Sequence, residues 1–286
     1  MTLTEHVAEI DRRWRRRADL RDGLMGVALL AGPANVIMQL ARPAVGYGVV
    51  ESRVESGRLD LHPVKRARTT FTYLAVATRG SAEQKAAFRR AVNRAHAQVY
   101  STAQSPIRYN AFDPDLQMWV AACLYKGAVD VYRAFVGEMD DQTADQHYRE
   151  GVALGTTLQV PPEMWPPDRD AFDEYWRASL DKIHIDHTVR DYLYPIAAAR
   201  LALPVPRWVR KPTERLALLI TTGFLPQRFR DEMGLPWDDR RQRVFDRLIT
   251  ALRLANNVAP RAVRQFPFNV LLIDLNWRVR TGRPLV

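Results

Sequence analysis

The sequence predicts an all-α fold, a single domain of many packed helices, and three observations carry that reading. Alternating apolar and polar stretches are short, and the β-branched residues fall in helical periodicity, so strand signals are nearly absent. Helix start and stop signals recur along the chain. The proline-rich joints between them, Pro161-Pro162, Pro166-Pro167, Pro204 to Pro206 and Gly234-Leu235-Pro236, are too short for flexible linkers.

At 286 residues, 47% hydrophobic and 26% charged, the chain can bury a sizeable core. One cysteine, Cys123, leaves no pair for an internal disulfide and points to a reducing, cytoplasmic compartment. Arg12, Arg13, Arg15, Arg16 and Arg17 follow no apolar run, unlike a secretory signal. Residues 1–20 read as a basic amphipathic helix or arm, and residues 21–286 as the helical domain. In the arm, Val7, Ile10 and Trp14 share a face that the arginines surround. That pattern suits peripheral contact with an anionic membrane or acidic macromolecule; the plainer reading packs Trp14 on the body. The net charge of +10 invites a nucleic-acid partner. Outside this cluster, however, arginines extend to Arg283 interleaved with acids, so no nucleic acid is expected.

The elements follow in order. Gly23 to Ala41 carries no formal charge and approaches the length of a membrane span. Pro33, Asn35, Gln39 and three glycines argue instead for a buried helix. A helix starts after Pro63 and stops at Gly80 as its C-terminal cap, and Ser81-Ala82-Glu83-Gln84 is a capping box opening the next. So short a joint makes the pair antiparallel. At 1.5 Å per residue, Arg68 lies about 18 Å and His96 about 24 Å from the turn, at similar heights. Asp113-Pro114 opens a helix running to Gly137, with Leu116, Trp119, Val120 and Cys123 on one face. Further helices are expected over 170–182, 188–203, 212–233 and 238–257.

On the first helix of the hairpin, Lys65, Arg68, Thr69 and Thr72 form one polar, cationic face. On the second, Val92, Ala95, His96 and Val99 make an apolar stripe with the imidazole in its middle. Taken alone, His96 reads as a core histidine and Arg68 as a structural ion pair. His184 and His187 stand at a chelating spacing, but at a helix start where Asp186 or Thr188 is a cap. His6, His62 and His147 flank polar segments and read as surface residues. Trp165, Phe172, Tyr175 and Trp176 read as core, and Cys123 as a core thiol. There is no glycine-rich phosphate loop, Gly-x-Ser-x-Gly elbow or Cys-x-x-Cys pair.

A longer order of motifs changes the weight of these residues. Gln39-Leu40-Ala41-Arg42-Pro43-Ala44-Val45 and Gly48-Val49 precede Arg68-Thr69, Gly80 and Ala95-His96-Ala97-x-Val99. Tyr109-x-Ala111-x-Asp113-Pro114-Asp115-Leu116, Trp119-Val120 and Gly234-Leu235-Pro236-Trp237 follow. Over residues 20 to 260 this resembles the family uniting bacterial rubber oxygenases (latex-clearing proteins) with the fungal membrane-bound oxygenase of mycophenolic acid synthesis.

The resemblance implies a globin-reminiscent helical core holding one haem b, dioxygen as co-substrate and a small apolar, isoprenoid- or lipid-like substrate. It makes His96 the proximal iron ligand, Arg68 the distal basic residue and Thr69 the distal threonine. Lys65 stands where the family usually has an arginine. Arg66 and Arg68 also suit propionates, so the resemblance leaves anchoring and catalytic roles open. The chain departs from the family at two places: Ala121 replaces the histidine of Trp-Val-His, and Arg42 replaces that of His-Pro. An alternative is therefore a non-enzymatic haem- or partner-binding protein of the same fold. A metal-dependent hydrolase built on His184 and His187 is the third reading.

Overall fold

Pro33 decides how the chain enters the fold. Lacking an N–H, it cannot extend the preceding turn, so a 3-10 helix over Gly26–Ala31 gives way to α1 (Gly32–Leu40). The computed structural model describes residues 24–54, 62–200 and 206–286. The expected arm over residues 1–20 lies outside the described residues. After α1, Pro43 starts α2 (Pro43–Val50).

The hairpin forms as the sequence predicts, from α3 (Pro63–Arg79) and α4 (Ala82–His96). Ser81 Oγ accepts from Gln84 N at 3.3 Å, and Ser81 N donates to Gln84 Oε1 at 2.7 Å. Gly80 is the C-terminal cap of α3, as expected. Its backbone is extended, and a Cβ there would stand 2.5 Å from the Val76 carbonyl oxygen, so close approach requires glycine. α4 stops at His96 and does not carry Val99. Beyond it, the Val99 carbonyl accepts from Ala111 N at 2.9 Å, and Tyr100 bridges Asn110, the one β-pairing among the described residues.

α5 (Pro114–Phe135) is the axis of the core. Asp113 caps it through Asp115 N and Leu116 N. Met118, Trp119, Ala121, Ala122, Cys123, Tyr125, Val129, Val131, Tyr132 and Phe135 bury its sides almost all round, as a central helix requires. Trp119 stacks on Trp176 at 5.1 Å and on Phe229 at 6.5 Å, and its indole N–H reaches the Gln39 carbonyl at 3.0 Å. Trp165 and Phe172 join Tyr125 and Tyr148 in a second aromatic group, with Tyr125 and Phe172 4.9 Å apart. These aromatic residues are core, as the sequence suggests.

Around α5 lie α6 (Asp141–Gly151), α7 (Ala153–Thr156), α8 (Arg169–Leu180), α9 (His187–Ala197), α10 (Arg207–Phe224), α11 (Gln227–Met233), α12 (Asp239–Val258), α13 (Arg261–Arg264) and α14 (Phe268–Thr281). Asp140, Asp168, Asp186 and Asp238 cap α6, α8, α9 and α12. The helix expected over 212–233 is divided at Pro226 into α10 and α11, and α10 begins five residues before Pro212. α9 ends at Ala197, where Ala199 takes a left-handed φ of 52°. His147 corrects the surface reading: the amphipathic face of α6 buries it, 4.8 Å from the Tyr132 ring. Two smaller clusters lie between α14 and the hairpin: Phe268 meets Ala75 and Leu24 in one, and Leu275 meets Val76 and Phe88 in the other. No helix among the described residues is long and apolar enough to cross a membrane.

Candidate functional site

The hairpin sets His96 at the end of α4, and the chain then turns back through residues 97–113 to lay Phe112 against it. The two rings meet edge to face at 6.2 Å. That return is held by Ser101 N to the Tyr109 carbonyl at 2.9 Å, and by Glu51, which accepts from Tyr109 Oη at 2.7 Å and Ser105 Oγ at 2.6 Å. Gln117 Nε2 donates to the Ala111 carbonyl at 2.7 Å, tying the loop to α5.

His96 Nδ1 is buried and has no hydrogen-bond partner among the described residues. Two effects compete for the charge of this ring. The carbonyls at a helix C-terminus favour an imidazolium. Burial opposes it most strongly, Arg66 adds a like charge, and together they push the pKa down from 6.5 to about 4. The ring is therefore neutral at physiological pH, with a free nitrogen inside the protein. A neutral imidazole of this kind is a good ligand for iron.

The like charge that acts on this ring is that of Arg66 rather than Arg68. The Arg66 guanidinium is desolvated, which lowers its own pKa, and Tyr192 on α9 acts on it electrostatically in the opposite direction. No carboxylate among the described residues pairs with it. At about 100° per residue, Arg68 points to the opposite side of α3. There its Nη1 lies 3.2 Å from Asp274 Oδ2 on α14, which also accepts from Arg278 Nε at 2.7 Å. Lys65 and Arg68 line an open cavity of about 650 Å³ with His62, Pro63, Val64, Arg278 and Pro284. Thr69 falls between the two sides, and its hydroxyl donates to the Lys65 carbonyl at 3.0 Å. The structure thus groups His96, Arg66 and Phe112 on one side of α3, and Lys65, Arg68, Asp274 and Arg278 on the other. Asp274 and Phe112 escaped the sequence reading. Phe112 has no motif of its own, and Asp274 is signalled only as the sole acid after residue 254.

The two departures from the family pattern lie deeper. Ala121 is 1% exposed within the main core. Arg42 lays its guanidinium 5.8 Å from the Trp119 ring centroid, with Nη1 buried and unpartnered among the described residues. Burial raises the Cys123 thiol pKa well above its usual range, which suits a core thiol. His184 Nδ1 sits 3.3 Å from Glu232 Oε2, while Asp186 caps α9 and accepts from Tyr47 Oη at 2.5 Å. No group of three metal-ligating side chains occurs among the described residues. A haem iron needs only one axial side chain from the protein, and its propionates need cations, so His96 and Arg66 fit that group.

Comparison with known proteins agrees with the order of motifs. Residues 21–254 match the family described as ER-bound oxygenase mpaB/B′/rubber oxygenase, catalytic domain. Uncharacterized proteins of Mycobacterium bovis and Mycobacterium tuberculosis are each 52% identical over 258 residues, which cover 90% of this chain and 100% of theirs. A solved structure of a latex clearing protein in the closed state aligns with a TM-score of 0.49 and 15% identity, covering 96% of this chain and 74% of that one. The chain belongs to the family of mpaB and rubber oxygenase catalytic domains.

Proposed function

We propose that this chain is a haem b-dependent oxygenase that uses dioxygen on a small apolar substrate of isoprenoid or lipid type. The observation that supports the reading is His96, a half-buried imidazole whose Nδ1 is buried and unpartnered among the described residues and which is held neutral by desolvation and the charge of Arg66. His96 would ligate the iron, and its place at the end of a capped helix fixes the ring with little freedom. Arg66 would bind a propionate and so gain the counter-charge that it lacks among the described residues. Bound haem supplies the redox-active iron that reacts with dioxygen.

Of the three residues that the family pattern names on the distal helix, Lys65 and Arg68 turn away from His96 toward α14, so Thr69 alone is proposed as a distal polar group. Asp274 orients Arg68 and spreads its charge toward Arg278. The Thr69 hydroxyl, whose proton goes to its own helix, offers its lone pairs as an acceptor. A second reading, a haem-binding protein without turnover, is favoured by one observation: Ala121 offers no proton donor where the family has a histidine.

Haem loading of the purified protein tests the proposal. The wild type should acquire a Soret band that His96→Ala removes, and Arg66→Met should release haem faster. A protein that stays colourless with excess haem, or whose band survives His96→Ala unchanged, overturns the assignment.

A further inference from the structure

Helix α14 has two apolar sides, and the fold uses one of them. Phe268 and Leu275 are buried against the hairpin. Val270, Ile273 and Trp277, spaced three and four apart, share the opposite side and are 47%, 68% and 44% exposed. The segment leading into the helix continues the pattern, with Val263 at 63% and Phe266 at 59%. Scattered apolar side chains on a surface need no explanation, but a periodic stripe on one helix face does.

The charges beside the stripe say what covers it. From residue 254 onward the chain has five arginines, Arg261, Arg264, Arg278, Arg280 and Arg283, and one acid, Asp274. That acid is already shared between Arg68 and Arg278. Arg280 falls on the same exposed side as Ile273. Arg283 lies over the Trp277 ring, 4.3 Å from its centroid, placing a cation on the face of an exposed indole. A second copy of this face would set arginines against arginines. A surface that is apolar within and negative at its boundary meets both features.

We propose that α14 is an interfacial helix that docks the protein on an anionic lipid bilayer, with Val270, Ile273 and Trp277 entering the headgroup boundary and Arg280 and Arg283 meeting the phosphates. The contact is peripheral, lying in the plane of the surface. The proposal rests on α14 alone and does not depend on haem.

Co-sedimentation of the full chain with vesicles tests the proposal, using phosphatidylcholine alone and phosphatidylcholine mixed with phosphatidylglycerol. The wild type should bind the anionic vesicles, and less as salt is raised. Ile273→Asp combined with Trp277→Ser should weaken binding at least about tenfold while leaving the thermal melt unchanged, because both positions are exposed. Arg280→Gln with Arg283→Gln should weaken it without any change in the apolar stripe. Failure of the wild type to bind anionic vesicles overturns the proposal. So does binding that the Ile273/Trp277 variant retains in full, which would locate the contact elsewhere. A dimer in light scattering that the same variant dissolves, without vesicle binding, would assign the face to a second copy.

Discussion

Arg68 and Asp274, 206 positions apart in the chain, meet at 3.2 Å across α3 and α14. The same carboxylate oxygen accepts from Arg278 at 2.7 Å, so one acid stands between two guanidiniums that are each about a quarter exposed or less. Replacing it leaves two like charges facing each other in a half-buried cleft. Asp274→Asn should cost about 1–2 kcal/mol of stability in urea denaturation. The loss should shrink when Arg68→Met is present, as a double-mutant cycle would measure. A purely additive pair of losses would show that the contact contributes nothing.

His96 predicts a pH dependence. The folded haem-free protein keeps the ring neutral down to about pH 4, whereas an exposed histidine protonates near 6.5. Between those values the unfolded chain binds more protons than the folded one, so stability falls as pH drops through the window and levels off below it. The full span is worth about 3 kcal/mol at most. Stability curves measured across this range should be flatter in His96→Gln than in the wild type. Equal slopes would mean that the ring is solvated in the folded state.

Ala121 sets a limit on restoring the family pattern. The position is sealed inside the core, so Ala121→His must push neighbours apart. The variant should lose about 1–3 kcal/mol, read as a lower melting temperature. A variant as stable as the wild type would reveal unfilled space beside α5.

Gly80→Ala gives a sharper result than its backbone angles suggest. A φ of −70° suits alanine, and in open surroundings the change would stabilise by limiting the unfolded chain. Here the added methyl meets the Val76 carbonyl at 2.5 Å, so the variant should lose about 1–3 kcal/mol in thermal or urea unfolding. A gain in stability would show that the hairpin turn can relax freely.

What could be read from the sequence was whatever acts within a few residues. The Ser81 box and the caps at Asp113 and Asp238 place their partners two or three positions on, so their helices began where expected. α6 has a readable cap in Asp140, yet its burial of His147 depends on Tyr132, contributed by α5. The cationic face of Lys65, Arg68 and Thr69 was visible by periodicity. Which side of α3 would turn toward His96 was not, because α14 covers the Arg68 side from 206 residues away. The ordered motifs identified the family where periodicity alone left His96 a core residue. α14 has a left-handed Gly282 at its end but no side-chain cap at its start, and its packing face and exposed face are both apolar.

The packing of α14 also separates two meanings of a boundary. The family match ends at residue 254, but Phe268 and Leu275 complete clusters with Ala75, Val76 and Phe88, and Gln84 Nε2 reaches Asn276 Oδ1 at 2.6 Å. A fragment trimmed to the shared segment would bare the outer flank of the hairpin and strip Arg68 of its counter-ion. For this protein the segment matched by the family is shorter than the unit of folding, and expression boundaries should follow the latter.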